Sequence, residues 1–207
     1  MENKRIRKRF PILLLTAIIL IVQGCGDVEI RNLEDMAVWM YQEENGLQKV
    51  KKIGTLKLQV NYIPPAYHAL REDPQKFSTL VKEYDQSLSF MISISGEKGE
   101  NILWRGLKDY AGYRNRIHHL NFELEQFIEL RSGDVTINPV LSNVENLYEE
   151  TDHLRINIVF TREELQNLSS ENEVSLHLDD RVFKTGLNVF RFKTKEIENI
   201  PTPILAS

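Results

Sequence analysis

Cys25 is the only cysteine of this 207-residue chain, and its position points to chemistry at its sulfur. A thiolate is the strongest nucleophile among ordinary side chains, whereas a lone cysteine in a core pattern is usually an inert, buried thiol. Cys25 lies outside such a pattern, because it follows an apolar run from Ile12 to Val22. Five basic residues precede that run: Lys4, Arg5, Arg7, Lys8 and Arg9. A basic start, a short apolar stretch and a small residue at the cut predict a secretory signal peptide.

The sequence Val22-Gln23-Gly24-Cys25 resembles the bacterial lipobox, which has an aliphatic residue three places before the cysteine and a small residue just before it. The resemblance implies that a diacylglyceryl group is added to the Cys25 thiol, that a peptidase cuts between Gly24 and Cys25, and that the new amino group is usually acylated. Two or three acyl chains hold a protein stably on a membrane, whereas one holds it only marginally. We therefore predict a signal peptide over 1–24, a lipidated tether over 25–31 and one domain over 32–207.

The residue after the lipidated cysteine bears on location. In some Gram-negative lipoproteins an aspartate at that position retains the protein at the inner membrane. Here the position is occupied by Gly26, which favours the outer membrane, on its periplasmic or its surface face, over the inner membrane.

Charge excludes one large class of partners. Residues 1–24 carry five basic residues and one acidic residue, so their removal takes the formal net charge from −4 to about −8. An acidic mature chain does not suit nucleic acid, whose binding depends on neutralising phosphates. With Cys25 acylated, no disulfide, thiol nucleophile or thiolate metal site remains. The sequence shows no nucleotide, cofactor or metal motif, so we expect none of these ligands.

The histidines are the remaining candidates for chemistry. We expect His118 and His119 on a strand, where neighbours point to opposite faces and cannot share one metal ion. His177 and Asp179 would share a strand face, which leaves open an anchored hydrolase with a histidine–carboxylate site. Ordinary solvent-facing polar residues are the commoner explanation of such a pair.

A cluster of aromatic and basic residues lies in the middle of the chain. Trp104, Tyr110, Tyr113 and Arg114 are of the types that most often anchor protein interfaces, and aromatic faces also stack on sugars. These four residues form a candidate binding site for an envelope protein or a glycan. Arg105 and Arg116 add positive charge nearby. The alternative is that the aromatic residues merely pack a helix onto the domain.

Alternation of apolar and polar residues predicts the fold class. About seven segments alternate with a period of two, which is typical of half-buried strands. The clearest is Leu154 to Phe160, where a charge at Ile156 should be harmful and one at Asn157 mild. The other predicted strands are 56–62, 88–94, 120–130, 135–137, 174–178 and 187–192. Short antiparallel strands with polar turns indicate a mainly β fold, an antiparallel immunoglobulin-like sandwich.

Helices are predicted mainly in the N-terminal half. Asn32 caps a helix whose apolar face includes Trp39, and further helices are expected at 65–71, 77–84 and 103–117. Thr161 and Glu164 have the spacing of a capping box, and the tail after Ile200 is expected to be loosely ordered. The overall pattern resembles uncharacterised Gram-negative envelope lipoproteins with such a sandwich. We therefore expect a membrane-anchored, non-catalytic binding or structural module, with the hydrolase as the alternative.

Overall fold

Nine strands form two antiparallel sheets within residues 29–145, 152–163 and 172–205, which are the residues that this computed structural model describes. The five-stranded sheet has the order β1-β2-β3-β7-β6: β1 Gln48–Ile53, β2 Leu56–Ile63, β3 Ser87–Ser95, β7 His153–Thr161 and β6 Leu141–Glu145. The four-stranded sheet has the order β5-β4-β8-β9: β5 Val135–Ile137, β4 Ile128–Ser132, β8 Glu173–Asp180 and β9 Gly186–Lys193. The predicted mainly β, antiparallel class is therefore confirmed.

The core lies between the sheets, because one face of each sheet is apolar. On β3 and β7 the buried residues alternate with polar ones, as in Leu154, Ile156, Ile158 and Phe160. The inward residues of β8 and β9 join the same cluster of buried side chains. Aromatic rings connect the sheets, because Phe90 of β3 contacts Phe192 of β9. The alternation, which Ser89 alone interrupts on β3, follows from the two-residue repeat of a strand that buries one face.

Strand β1 departs from this pattern. Its residues Lys49 and Lys51 stand opposite Val60 and Leu58 of β2, which places them on the inward face at the edge of the sheet. Their ammonium groups lie over the rings of Phe192 and Phe190, at 5.5 Å and 5.2 Å from the ring centroids. Lys49 also pairs with Glu196 at 3.4 Å. The lysine stems thus cover the open side of the core while the charges keep polar or aromatic partners.

Five α-helices surround the sheets in the described part of the chain. They are α1 Leu33–Met40, α2 Pro65–Glu72, α3 Phe77–Tyr84, α4 Tyr110–Phe122 and α5 Thr194–Glu198. Asn32 caps α1 as predicted, because its side chain accepts a hydrogen bond from the backbone N–H of Asp35. Pro64 and Pro65 end β2 and start α2, since proline lacks the N–H that a strand ladder needs but suits the first turn of a helix.

The sequence-based expectations and the structure differ at two places in the fold. The strand expected from Leu120 is instead the end of α4, which is followed by a 3₁₀ turn, Leu124–Phe127, before β4 begins. Alternation alone could not separate the two, because i and i+4 of a helix also match a period of two. The strands β1 and β6 were not predicted, since β1 is rich in lysine and both lie at sheet edges. The capping box at Thr161 and Glu164 extends beyond the described residues.

The C-terminal segment is packed rather than loosely ordered. The backbone N–H of Ile204 donates to the carbonyl of Ile30 at 2.7 Å, and Ile30 is only 1% exposed. Pro203 is buried as well. Among the described residues no helix has the length and apolar character needed to cross a membrane.

Candidate binding surface

Two short capped elements position the predicted aromatic residues. The 3₁₀ turn Ile102–Trp104 begins after Asn101, whose side chain accepts from the backbone N–H of Leu103 at 3.0 Å. Helix α4 begins after Asp109, whose carboxylate accepts from the backbone N–H of Gly112 at 2.8 Å. Side-chain caps of this kind fix where a helix starts. Trp104 therefore comes to lie against the first turn of α4.

The structure brings together all four residues that the sequence singled out. The rings of Trp104 and Tyr113 are stacked, with centroids 4.6 Å apart and planes at 12°. Tyr110 lies 5.8 Å from Tyr113 and 6.4 Å from Trp104, so the three centroids form a compact triangle. The Arg114 guanidinium lies 5.8 Å from the Tyr110 ring centroid. We call these four residues the aromatic cluster.

The aromatic cluster is anchored on one side and open on the other. Tyr113 is half-buried and packs against the hydrophobic core. Trp104 is 40% exposed and Tyr110 is 64% exposed, so two large rings face solvent. An anchored, stacked ring loses little conformational freedom when a partner covers it, which is the property of an interface anchor.

Arg116 holds the cluster together, a role that the sequence did not reveal. Its Nη1 donates to the carbonyl oxygens of Leu103 at 3.0 Å and Arg105 at 2.8 Å. These bonds tie α4 to the turn that carries Trp104. Burial lowers the pKa of Arg116, and the nearby Asp180 carboxylate opposes that shift. A half-buried arginine whose donors are taken up by backbone carbonyls is a structural clamp rather than a free cation.

A basic groove of about 310 Å³ adjoins the aromatic cluster on another side of α4. Helix α4 contributes Asn115 and His119, and the turn after β8 contributes Arg181 and Lys184. No carboxylate is present among the described residues that line it: Arg105, Gly106, Leu107, Gly112, Asn115, Arg116, His119, Arg181, Val182, Phe183 and Lys184. Arg105 pairs with Glu100 and Arg181 with Asp179, which leaves Lys184 as the most available cation.

The histidines occupy other surroundings than expected. His118 and His119 lie on α4, not on a strand, and the Nδ1 atoms of both contact the Glu123 carboxylate. His177 does share a strand with Asp179, but its contacts are different. Its Nε2 lies 3.0 Å from Ser175 Oγ, and its Nδ1 lies 3.9 Å from Glu129 Oε1. Asp179 instead accepts from Arg181 at 2.9 Å.

The Ser175–His177–Glu129 arrangement has the order of atoms found in hydrolytic triads, which the sequence reasoning missed. The signal was present, because Ser175 and His177 are two residues apart on one strand and must share a face. Burial lowers the pKa of His177, with help from the charge of Arg131, so the imidazole is neutral at pH 7. The 3.9 Å separation exceeds hydrogen-bond length, and Glu129 accepts instead from Arg131 at 2.8 Å.

The predicted lipidation site lies outside the described residues, because these begin at residue 29. Gly24 and Cys25 therefore stay predictions from the sequence.

Fold and surface together define a mainly β protein with an exposed aromatic cluster. No known protein family matches the sequence, and neither does any curated protein. The chain is similar to a solved structure described as a novel protein of unknown function from Burkholderia pseudomallei. The two are 12% identical, the alignment covers 83% of this chain and 94% of that one, and the TM-score is 0.36. A likeness of this degree carries no argument about function.

Proposed function

We propose that this protein is a lipid-anchored envelope lipoprotein that acts as a non-catalytic binding module for a protein partner. The lipobox-like sequence ending at Cys25 supports the anchor, and Gly26 supports the outer membrane as its location. The observation that carries the binding role is the aromatic cluster, in which Trp104, on the turn that Arg116 clamps, and Tyr110, at the start of α4, are both exposed.

A protein partner fits this surface better than a glycan. Sugars are usually held in a concave site, whereas the two exposed rings stand on the surface beside a groove lined with cations. Tryptophan, tyrosine and arginine near the centre of an interface provide most of the binding free energy in protein complexes. The partner should present an apolar pocket for the rings and carboxylates for Arg114 and Lys184.

The immunoglobulin-like class is part of the same proposal. It is supported by two antiparallel sheets with a shared core and by a chain that passes between them, from β5 to β6 and from β7 to β8. Such sandwiches commonly serve as binding modules in envelope and extracellular proteins.

The anchor is tested in living cells. Radiolabelled palmitate should enter the full-length protein, and Cys25→Ala should abolish the labelling and release or mislocalise the chain. Unmodified full-length protein in the soluble fraction would exclude the anchor.

The binding role is tested by crosslinking in intact cells, followed by purification in detergent and mass spectrometry. The double variant Trp104→Ala and Tyr110→Ala should lose at least about tenfold of the captured partner, as expected for two interface anchors. Phe122→Ala is the matched control, because Phe122 is 73% exposed at the other end of α4. Equal loss from the control, or no loss from the double variant, would contradict the proposal. Capture of a glycan alone would reassign the partner.

The hydrolase is the second candidate, and the 3.0 Å contact between Ser175 Oγ and His177 Nε2 is the observation in its favour. Its test is the hydrolysis of p-nitrophenyl acetate by the detergent-purified protein. A hydrolase requires that Ser175→Ala lower the rate at least about 10²-fold, since it removes the nucleophile. We expect equal, background rates from the two proteins.

A further inference from the structure

A polar pocket of about 470 Å³ lies on the outer face of the five-stranded sheet, away from the aromatic cluster. Its floor is a row of residues that face one another across neighbouring strands. Gln59 of β2 stands opposite Ser93 of β3, and Ser93 stands opposite Arg155 of β7. Ser93 is the smallest of the three, so the floor is hollow at its centre. Asn157 continues the polar floor one pleat further along β7.

Aromatic and basic side chains form the wall. Tyr67 and Arg71 come from α2, and Tyr41 comes from the end of α1. Burial raises the pKa of Tyr41, with a smaller contribution from Tyr67 and an opposing one from Arg155. These influences agree with the geometry, in which both rings and Arg155 share one pocket. His68 stacks on Tyr84 behind the wall, with ring centroids 4.7 Å apart, which keeps α2 in place over the sheet.

The pocket holds two guanidinium groups and one carboxylate, and Glu145 of β6 stands directly opposite Arg155 of β7. In the part of the chain that the structure describes, the guanidinium groups of Arg71 and Arg155 make no hydrogen bond or ion pair. Glu145, on the neighbouring strand β6, accepts from Asn157 Nδ2 at 2.7 Å. Two uncommitted guanidinium groups in one concave site favour an anionic ligand, and a carboxylate matches the planar guanidinium fork.

We propose that this pocket binds a sugar acid, whose carboxylate lies between Arg71 and Arg155 and whose hydroxyls contact Gln59, Ser93, Asn157 and Glu145. Amides and hydroxyls both donate and accept, and a carboxylate accepts, which is the combination that a polyhydroxylated ring requires. The rings of Tyr41 and Tyr67 offer faces for the C–H groups of the sugar. The volume lies within the range of about 300–1,000 Å³ typical of small-ligand sites. This proposal is independent of the aromatic cluster and its partner.

The test is isothermal titration calorimetry on the detergent-purified full-length protein. The probes are D-glucuronate and D-galacturonate, and D-glucose is the uncharged match. Arg71→Gln and Arg155→Gln should each weaken binding of the acids about tenfold to a hundredfold, as loss of one charged hydrogen bond implies. Arg191→Gln, an exposed arginine on the outer face of the other sheet, is the control and should leave the affinity unchanged. Circular dichroism confirms that each variant is folded.

The source of the sugar acid is resolved by a trimer of galacturonate. Tighter binding of the trimer than of the monomer points to an acidic glycan chain, and equal binding points to a free sugar acid; both support the site. The proposal is overturned if neither acid binds at about 10 mM, which is above the range of weak specific ligands. It is also overturned if D-glucose binds as tightly or if Arg155→Gln binds normally.

Discussion

The rings of Phe90 and Phe192 meet between the two sheets, with centroids 5.3 Å apart and planes inclined at 54°. Phe90 also contacts Tyr62 and Phe160 on the two strands that flank its own. One side chain thus joins three strands of the five-stranded sheet to the last strand of the other sheet.

Removal of the Phe90 ring should weaken the packing between the two sheets. Phe90→Ala should lower the free energy of unfolding by about 3–5 kcal/mol, because it removes a fully buried ring and leaves a cavity. Urea unfolding followed by fluorescence of the buried Trp39 measures the loss. Ser95→Ala, on the outward face of the same strand, should change it by less than about 0.5 kcal/mol. Wild-type stability in Phe90→Ala would mean that the sheets do not pack through this ring.

Lys184 adopts a left-handed backbone conformation, with φ of +60°, in the turn between β8 and β9. The buried Asp180 carboxylate holds this turn by accepting from the backbone N–H groups of Val182, Phe183 and Thr185. Lys184→Gly should raise stability by up to about 1 kcal/mol, because glycine tolerates positive φ. Lys184→Val should lower it by a similar amount. Lys98→Gly, at ordinary backbone angles, should be slightly destabilising, and thermal unfolding distinguishes the three variants.

Stability should decrease in mild acid. Burial lowers the pKa of His68 from its ordinary value of 6.5, and the charge of Arg71 adds to the shift. Below about pH 7 the unfolded chain therefore binds more protons than the folded one, so the free energy of unfolding falls as the pH falls. Urea titrations at several pH values should show this slope. His68→Phe keeps the ring against Tyr84 and should reduce the slope, leaving a remainder from His177, whose pKa is lowered too.

The control for that titration is His118→Gln, because the His118 side chain is 62% exposed. The free energy of unfolding of this variant should change with pH as steeply as that of the wild type. Equal slopes in the wild type and His68→Phe would show that His68 takes up its proton in the folded state as readily as in the unfolded one.

Asn157→Asp should be more harmful than the strand pattern indicates. The alternating pattern places Ile156 in the core and Asn157 on the solvent side of β7. From the pattern alone, a charge at Asn157 is therefore expected to have only a mild effect on stability. The structure shows that Asn157 Nδ2 donates to Glu145 Oε1 at 2.7 Å. The substitution sets two carboxylates against each other and should cost about 1–2 kcal/mol at pH 7, with recovery below about pH 4. Asn143→Asp, exposed on the same face, should have little effect in the same unfolding assay.

The mainly β class could be predicted from the sequence because β3, β7 and β8 each bury one face, which imposes a period of two on residues such as Leu154 to Phe160. Strand β1 could not be predicted from the alternation of apolar and polar residues, because its inward positions are occupied by Lys49 and Lys51. The end of α4 was misassigned because Leu120, Phe122 and Leu124 alternate with polar residues as a strand does, whereas on the helix Leu120 is buried and Phe122 is exposed. The helix and strand propensities of these residues do not distinguish the two structures. In the folded protein the segment is helical, and Leu120 packs into the core.

The aromatic cluster could be predicted because its members are close in sequence and are of the types that most often anchor protein interfaces. The clamp by Arg116 could not be predicted from the sequence. Its acceptors are backbone carbonyls, which every residue type carries. The pocket on the outer face was also hidden, because Arg71 and Arg155 are far apart in sequence and meet only through the pairing of strands and the placement of α2.

The two inward lysines of β1 bear on how neighbouring copies behave. If the chain is anchored as proposed, its copies are confined to two dimensions, where exposed sheet edges meet often. A strand that tried to pair with β1 and extend the sheet would have to enclose the ammonium groups of Lys49 and Lys51 in a lengthened core, and burying such charges is costly. The β1 edge of the five-stranded sheet therefore resists pairing with a strand of another copy.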